Sequence, residues 1–71
     1  MTYQYFSMGG VISRIFLDEN SEPERCETYD PRIGDFKINN AILDDLYNHS
    51  DSMEISREEF EKRLERVQKV S

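Results

Sequence analysis

Asp45 and His49 stand four residues apart, the spacing that puts two side chains on one face of a helix, where they can share a metal ion or a hydrogen bond. Two ligands do not make a site, because catalytic zinc takes three protein ligands and structural zinc four. The neighbouring pair Asp44-Asp45 points in two directions on a helix and is no acid–base dyad. The expectation for His49 is a partly buried ring near a helix C-terminus, where the helix dipole favours its charged form. Asp18-x-Asn20-x-Glu22 has the spacing that opens a calcium loop. Pro23 stands where the sixth-position glycine belongs, and Tyr29 where the bidentate glutamate belongs, so the segment reads as a solvated acidic loop. Cys26 is the only cysteine. It allows no internal disulfide and reads as a small buried hydrophobe, since a reactive thiol needs an activating neighbour. The chain has no phosphate-binding loop, no dinucleotide glycine pattern and no nucleophile elbow. These readings assign no catalytic residue, no metal ligand and no cofactor, and the chain is not expected to be an enzyme.

Recognition chemistry is better represented than reaction chemistry. Thr2–Met8 and Val11–Leu17 are rich in aromatic and β-branched residues and flank Gly9-Gly10, the signature of a two-residue hairpin. Such a turn fixes the register, pairing Met8 with Val11, Phe6 with Ser13, Tyr5 with Arg14 and Tyr3 with Phe16. Side chains alternate between faces. One face then carries Gln4, Phe6, Met8, Val11, Ser13, Ile15 and Leu17; the other carries Tyr3, Tyr5, Ser7, Ile12, Arg14 and Phe16. If helices cover the first, then Tyr3, Tyr5, Ile12, Arg14 and Phe16 form a partner-binding surface, since tyrosine and arginine are enriched at binding hot spots. Tyr5 opposite Arg14 also permits a cation–π contact.

The elements that position this face follow from local signals. Residues 18–24 form the acidic loop, broken by Pro23. Residues 25–29 can add a third strand, Pro31 and Gly34 bracket a turn, and Phe36-Lys37-Ile38 can extend again. Residues 39–49 suit a short helix capped by Asn39 or Asn40, with Ile42, Leu46 and His49 on one stripe and Leu43 and Tyr47 at its edge. Ser56-Arg-Glu-Glu59 is a capping box, and Ile55 with Phe60 makes a hydrophobic staple. The helix that follows buries Phe60, Leu64, Val67 and Val70, while Glu58/Lys62, Glu59/Arg63 and Glu65/Lys69 pair along its outer side. Strands followed by helices imply an α+β fold: an N-terminal β-hairpin in a two- or three-stranded antiparallel sheet, packed against two C-terminal helices on one side.

Seventy-one residues make one domain, residues 1–71, too small for the nested loops of a deep cleft. The net charge of −6 is uneven: residues 1–55 carry eleven acids against four bases, and residues 56–71 four against five. That field opposes nucleic acid and anionic membranes, and the bases of the last helix have acids at helical spacing to pair with. No stretch is long and apolar enough to span a bilayer, and the N-terminus is not a signal peptide; the expected compartment is the cytoplasm. The sequence reads as a non-catalytic protein-binding or regulatory module with a protein partner or a homodimer through the aromatic face. The alternative is an acidic inhibitor or nucleic-acid mimic that occupies a basic groove on a DNA-handling protein.

Overall fold

A computed structural model describes residues 2–70, apart from the side chain of Val70; the Val70 position of the expected apolar stripe therefore lies outside the described side chains. Strands β1 (Thr2–Met8) and β2 (Val11–Leu17) form the hairpin. Gly9 and Gly10 take φ of 57° and 84°, the left-handed pair that a tight hairpin turn requires and that side chains resist. All four anticipated pairings are present in the ladder.

The sheet has five strands rather than two or three. β3 (Pro23–Asp30), β4 (Asp35–Ile38) and β5 (Ser52–Ile55) complete it, in the order β4-β3-β2-β1-β5 with every neighbouring pair antiparallel. β3 starts earlier than residue 25 because Pro23 occupies its first position, where the missing N–H does least harm to the ladder. The acidic loop accordingly shrinks to residues 18–22. Asp18 holds it, its Oδ1 accepting from the backbone N–H of Asn20 at 2.8 Å and of Glu22 at 3.1 Å.

Helix α1 (Leu43–Asn48) follows a 3-10 turn (Asn40–Ile42), and helix α2 spans Arg57–Val70. The expected single helix over residues 39–49 is thus shorter, and neither asparagine caps it. Asn40 Oδ1 instead accepts from the Cys26 backbone N–H at 2.8 Å, and the Asn39 N–H donates to the Cys26 carbonyl at 2.7 Å. These residues therefore extend the pairing of β3 beyond the end of β4. In α2 the cap is as expected: Ser56 Oγ accepts from the Glu59 N–H at 3.1 Å. The Glu59 carboxylate does not return to the cap; it accepts from Arg63 Nε at 2.8 Å. Arg63 Nη1 also donates to Ser7 Oγ at 2.9 Å, tying α2 to β1.

The two helices cover opposite faces of the sheet. Phe6, Ile15, Leu17 and Cys26 pack with Leu46 of α1, flanked by Met8, Ile42 and Leu43. Ile12 and Tyr29 pack with Phe60 of α2, flanked by Tyr5, Phe36, Ile55, Leu64 and Val67. The expected one-sided arrangement fails because β5 lies between the helices in sequence and pairs with the free edge of β1. The chain enters that strand from one side of the sheet and leaves it toward the other. A hairpin apolar on both faces is thereby covered by α1 on one face and by α2 over part of the other.

At the β3–β4 turn, Asp30 is buried and accepts from the Arg32 backbone N–H at 2.9 Å and from Arg32 Nε at 3.2 Å, with Lys37 Nζ at 3.2 Å. Hydrogen bonds from the Arg32 side chain, then its backbone, hold the Asp30 carboxyl well below the usual carboxylate range, and Lys37 adds to this. A carboxyl depressed on folding contributes stability above its unfolded pKa and loses it as pH falls toward the folded value. Asp30→Asn is therefore expected to lower stability at pH 7. The gap to the parent should begin to narrow below about pH 4, the unfolded aspartate range, and keep narrowing as pH falls toward the folded value. Urea midpoints measured from pH 7 to pH 2 check this; a gap independent of pH would show that the charge of Asp30 does not matter.

Candidate interaction face

Cross-strand register sets the layout on the α2 side. One row runs Ile38, Glu27, Arg14, Tyr5 and Ile55; the next runs Arg25, Phe16 and Tyr3. α2 covers the end of the face that carries Ile12 and Tyr29. Ile12 is only 3% exposed, so of the five residues expected to contact a partner it is unavailable to one. Tyr5 lies against Phe60, with ring centroids 4.6 Å apart, and forms part of the seat of α2. Tyr3, Arg14 and Phe16 stay half-buried beyond the helix, and Ile38 at the rim is 65% exposed.

What remains is a ledge of alternating rings and guanidinium groups. Tyr3 and Phe16 meet edge to face at 5.2 Å. Arg14 does not lie on Tyr5, as the register suggested; its guanidinium sits over Tyr3 at 4.7 Å and over Phe36 at 4.0 Å. Arg25 sits over Phe16 at 4.4 Å, and its Nη2 donates to the Tyr3 hydroxyl at 3.4 Å. Glu27 joins the two arginines, accepting from Arg14 Nε at 2.6 Å and from Arg25 Nε at 3.1 Å. Burial pushes the Glu27 carboxyl up, but the hydrogen bonds from Arg14 and Arg25 outweigh this and hold it below its ordinary value. The same bond to Glu27 raises Arg25. Each ring–guanidinium contact is worth about 0.5–1 kcal/mol at a partly exposed site. Arg25 and Glu27 were not among the residues expected at the site, because nothing short of the β2–β3 register places them beside Phe16 and Arg14. A groove of about 410 Å³ runs from Tyr3 and Tyr5 past Arg14 to Phe60 and Arg57 at the start of α2.

The other chemical candidates are scattered. His49 does not lie on the buried stripe; it is exposed, and its Nδ1 accepts from the Asp51 backbone N–H at 3.0 Å. Asp45 meets it through the backbone, its carbonyl accepting from the His49 N–H at 2.8 Å. Among the described residues no group of three or more His, Cys, Asp or Glu is placed to hold a metal ion. Cys26 has 0% exposure, and burial, then the Glu27 charge, pushes its thiol up, away from the reactive thiolate. On α2, Glu59/Arg63 and Glu65/Lys69 pair as expected, and Arg57 pairs with Glu61 at 3.2 Å. No helix among the described residues is long and apolar enough to cross a membrane. No protein-family model, curated protein or solved structure matches the chain.

Proposed function

We propose that the chain is a non-catalytic protein-binding module whose contact surface is the ledge of Tyr3, Phe16, Arg14 and Arg25. The observation that carries this reading is the way both arginines are held before any partner arrives. Each lies on an aromatic ring and donates to Glu27. Binding therefore immobilises little that is mobile, and ordering long side chains is a main cost of association. Half-buried aromatic and arginine side chains beside an exposed Ile38 have the composition of an interface centre. The one thiol is buried and the one histidine faces solvent next to Asp51, which suits recognition better than reaction chemistry.

The test is a capture experiment from the source cells with the parent and with a Tyr3→Ala, Phe16→Ala variant whose circular dichroism matches it. A protein held by the parent should be lost from the variant. Each truncation should weaken its binding roughly 30-fold or more, the loss of about 2 kcal/mol or more that marks a hot-spot residue. Equal retention by both chains would remove this face from the reading. A second reading, an acidic inhibitor of a basic groove, draws on exposed Asp44, Asp45, Asp51 and Glu54 in α1, the turn after it and β5. It requires a complex that weakens steeply as salt rises.

A further inference from the structure

We infer that the chain carries a second binding site, at the hairpin-turn end of α2, and that its occupant is the C-terminus of a peptide, a free α-carboxylate on an apolar last residue. Two hollows meet there. One, of about 180 Å³, lies between Gly10 of the turn and Arg63 and Arg66 of α2. The other, of about 110 Å³, is bounded by Val11, Tyr29 and Pro31. Gly10, Ile12 and Val67 line both, so the two form one crevice with a basic end and an apolar end. It shares no residue with the groove beside Tyr3, and the inference is independent of the reading of the ledge.

The basic end has the donors for a carboxylate. Arg63 is fixed by bonds to Glu59 at 2.8 Å and Ser7 at 2.9 Å, which take two of the five N–H donors of a guanidinium. The Glu59 charge offsets that of Arg63, so the charge left for a ligand is that of Arg66. Arg66 is exposed and has no hydrogen bond or ion pair to another described residue. Guanidinium groups recognise carboxylates through paired N–H donors. The surroundings keep the sign. In a chain of net charge −6, residues 62–69 carry four bases against one acid, Glu65, which pairs with Lys69 at 3.2 Å. The apolar end takes the side chain of the last residue. Ile12 and Tyr29 are buried walls of the crevice, Val67 is half-buried and Val11 is exposed, so a side chain seated there removes apolar surface from water. A Cβ at Gly10 would meet no atom within 4 Å, which leaves the passage between the two ends clear. A chain end suits the crevice better than a free small acid, because exposed Val11 and Pro31 at its rim give the preceding residues apolar surface to cover.

Amide NMR titration of the full chain with a short alanine peptide ending in leucine should shift Gly10, Val11 and Val67. Binding should saturate with a dissociation constant on the order of 0.1 mM, as suits one side chain and one carboxylate. The C-terminal amide of the same peptide should bind about tenfold more weakly or worse, because it loses a charge-assisted bond. Arg66→Gln alters an exposed side chain, so it should keep the parent circular dichroism and weaken binding of the acid by a similar factor. Arg66→Lys retains the charge and should lose less. An amide that binds as tightly as the acid, or an Arg66→Gln variant that binds like the parent, would overturn the inference. So would isovalerate alone binding as tightly as the peptide, or the absence of any saturable shift at millimolar peptide. Shifts confined to the Tyr3–Phe16 ledge would also overturn it, and would leave the reading of that ledge intact.

Discussion

Phe60→Ala is expected to detach α2 from the sheet and to cost about 3–5 kcal/mol. Phe60 is 3% exposed. Its ring meets Tyr5 at 4.6 Å and stacks on Phe36 at 5.8 Å, so one side chain joins α2 to β1 and to the edge strand β4. The other apolar residues of the helix whose side chains are described, Leu64 and Val67, are only half-buried and do not replace it. A 14-residue helix has little stability alone in water. At roughly 0.05–0.15 kcal/mol per residue, this chain has about 4–11 kcal/mol in all. The substitution therefore removes about a quarter of the stability at least, and near the lower bound of that range it unfolds the protein. Urea unfolding followed by circular dichroism measures the effect. With a slope of about 1 kcal/mol per molar, the midpoint should fall by about 3–5 M. Phe60→Leu, which keeps most of the volume, should cost about 1.5 kcal/mol or less. A loss under about 1 kcal/mol for the alanine variant would mean that the helix is not held where the structure places it.

That dependence on one aromatic residue was partly legible beforehand. Ser56, Glu59, Ile55 and Phe60 mark the start of α2 through local chemistry, and the cap and staple are both present. The hairpin was legible for the same reason: two adjacent glycines fix a turn, and the turn fixes the register. β5 was not. Its Ser52-Met53-Glu54-Ile55 alternation is a period-two signal, but four residues are too few to separate it from a loop. The strand is held by long-range pairing with β1 and by Ser52 Oγ donating to the Leu46 carbonyl at 2.5 Å. Missing that strand displaces α2, because only a chain that crosses the sheet edge at β5 can put its last helix on the second face. The hairpin register places Tyr3, Tyr5, Ile12, Arg14 and Phe16 on one face, as expected, while the division between those under α2 (Tyr5, Ile12) and those beyond it (Tyr3, Arg14, Phe16) depends on where the helix lands. Arg25 and Glu27 joined the ledge only through the β2–β3 register, which the Asp18 turn and the irregularity between Phe16 and Leu17 set.

Leu46→Ala should release the opposite face at a cost of about 2–5 kcal/mol. Leu46 is 2% exposed and is the one buried residue of α1. A six-residue helix has no independent stability, so its place depends on this side chain meeting Phe6, Ile15 and Cys26. The effect should spread to β5, because Ser52 bonds to the Leu46 carbonyl and β5 is an edge strand. Amide hydrogen exchange should therefore accelerate in α1 and β5 while the β2–β3 ladder keeps its protection. The two cores share no side chain, so Leu46→Ala combined with the milder Phe60→Leu should be additive to within about 0.5 kcal/mol. Coupling well beyond that value would mean that the sheet transmits strain between its faces. In that case a partner docking on the Tyr3–Phe16 ledge would also be felt at α1, on the side of the sheet it never touches.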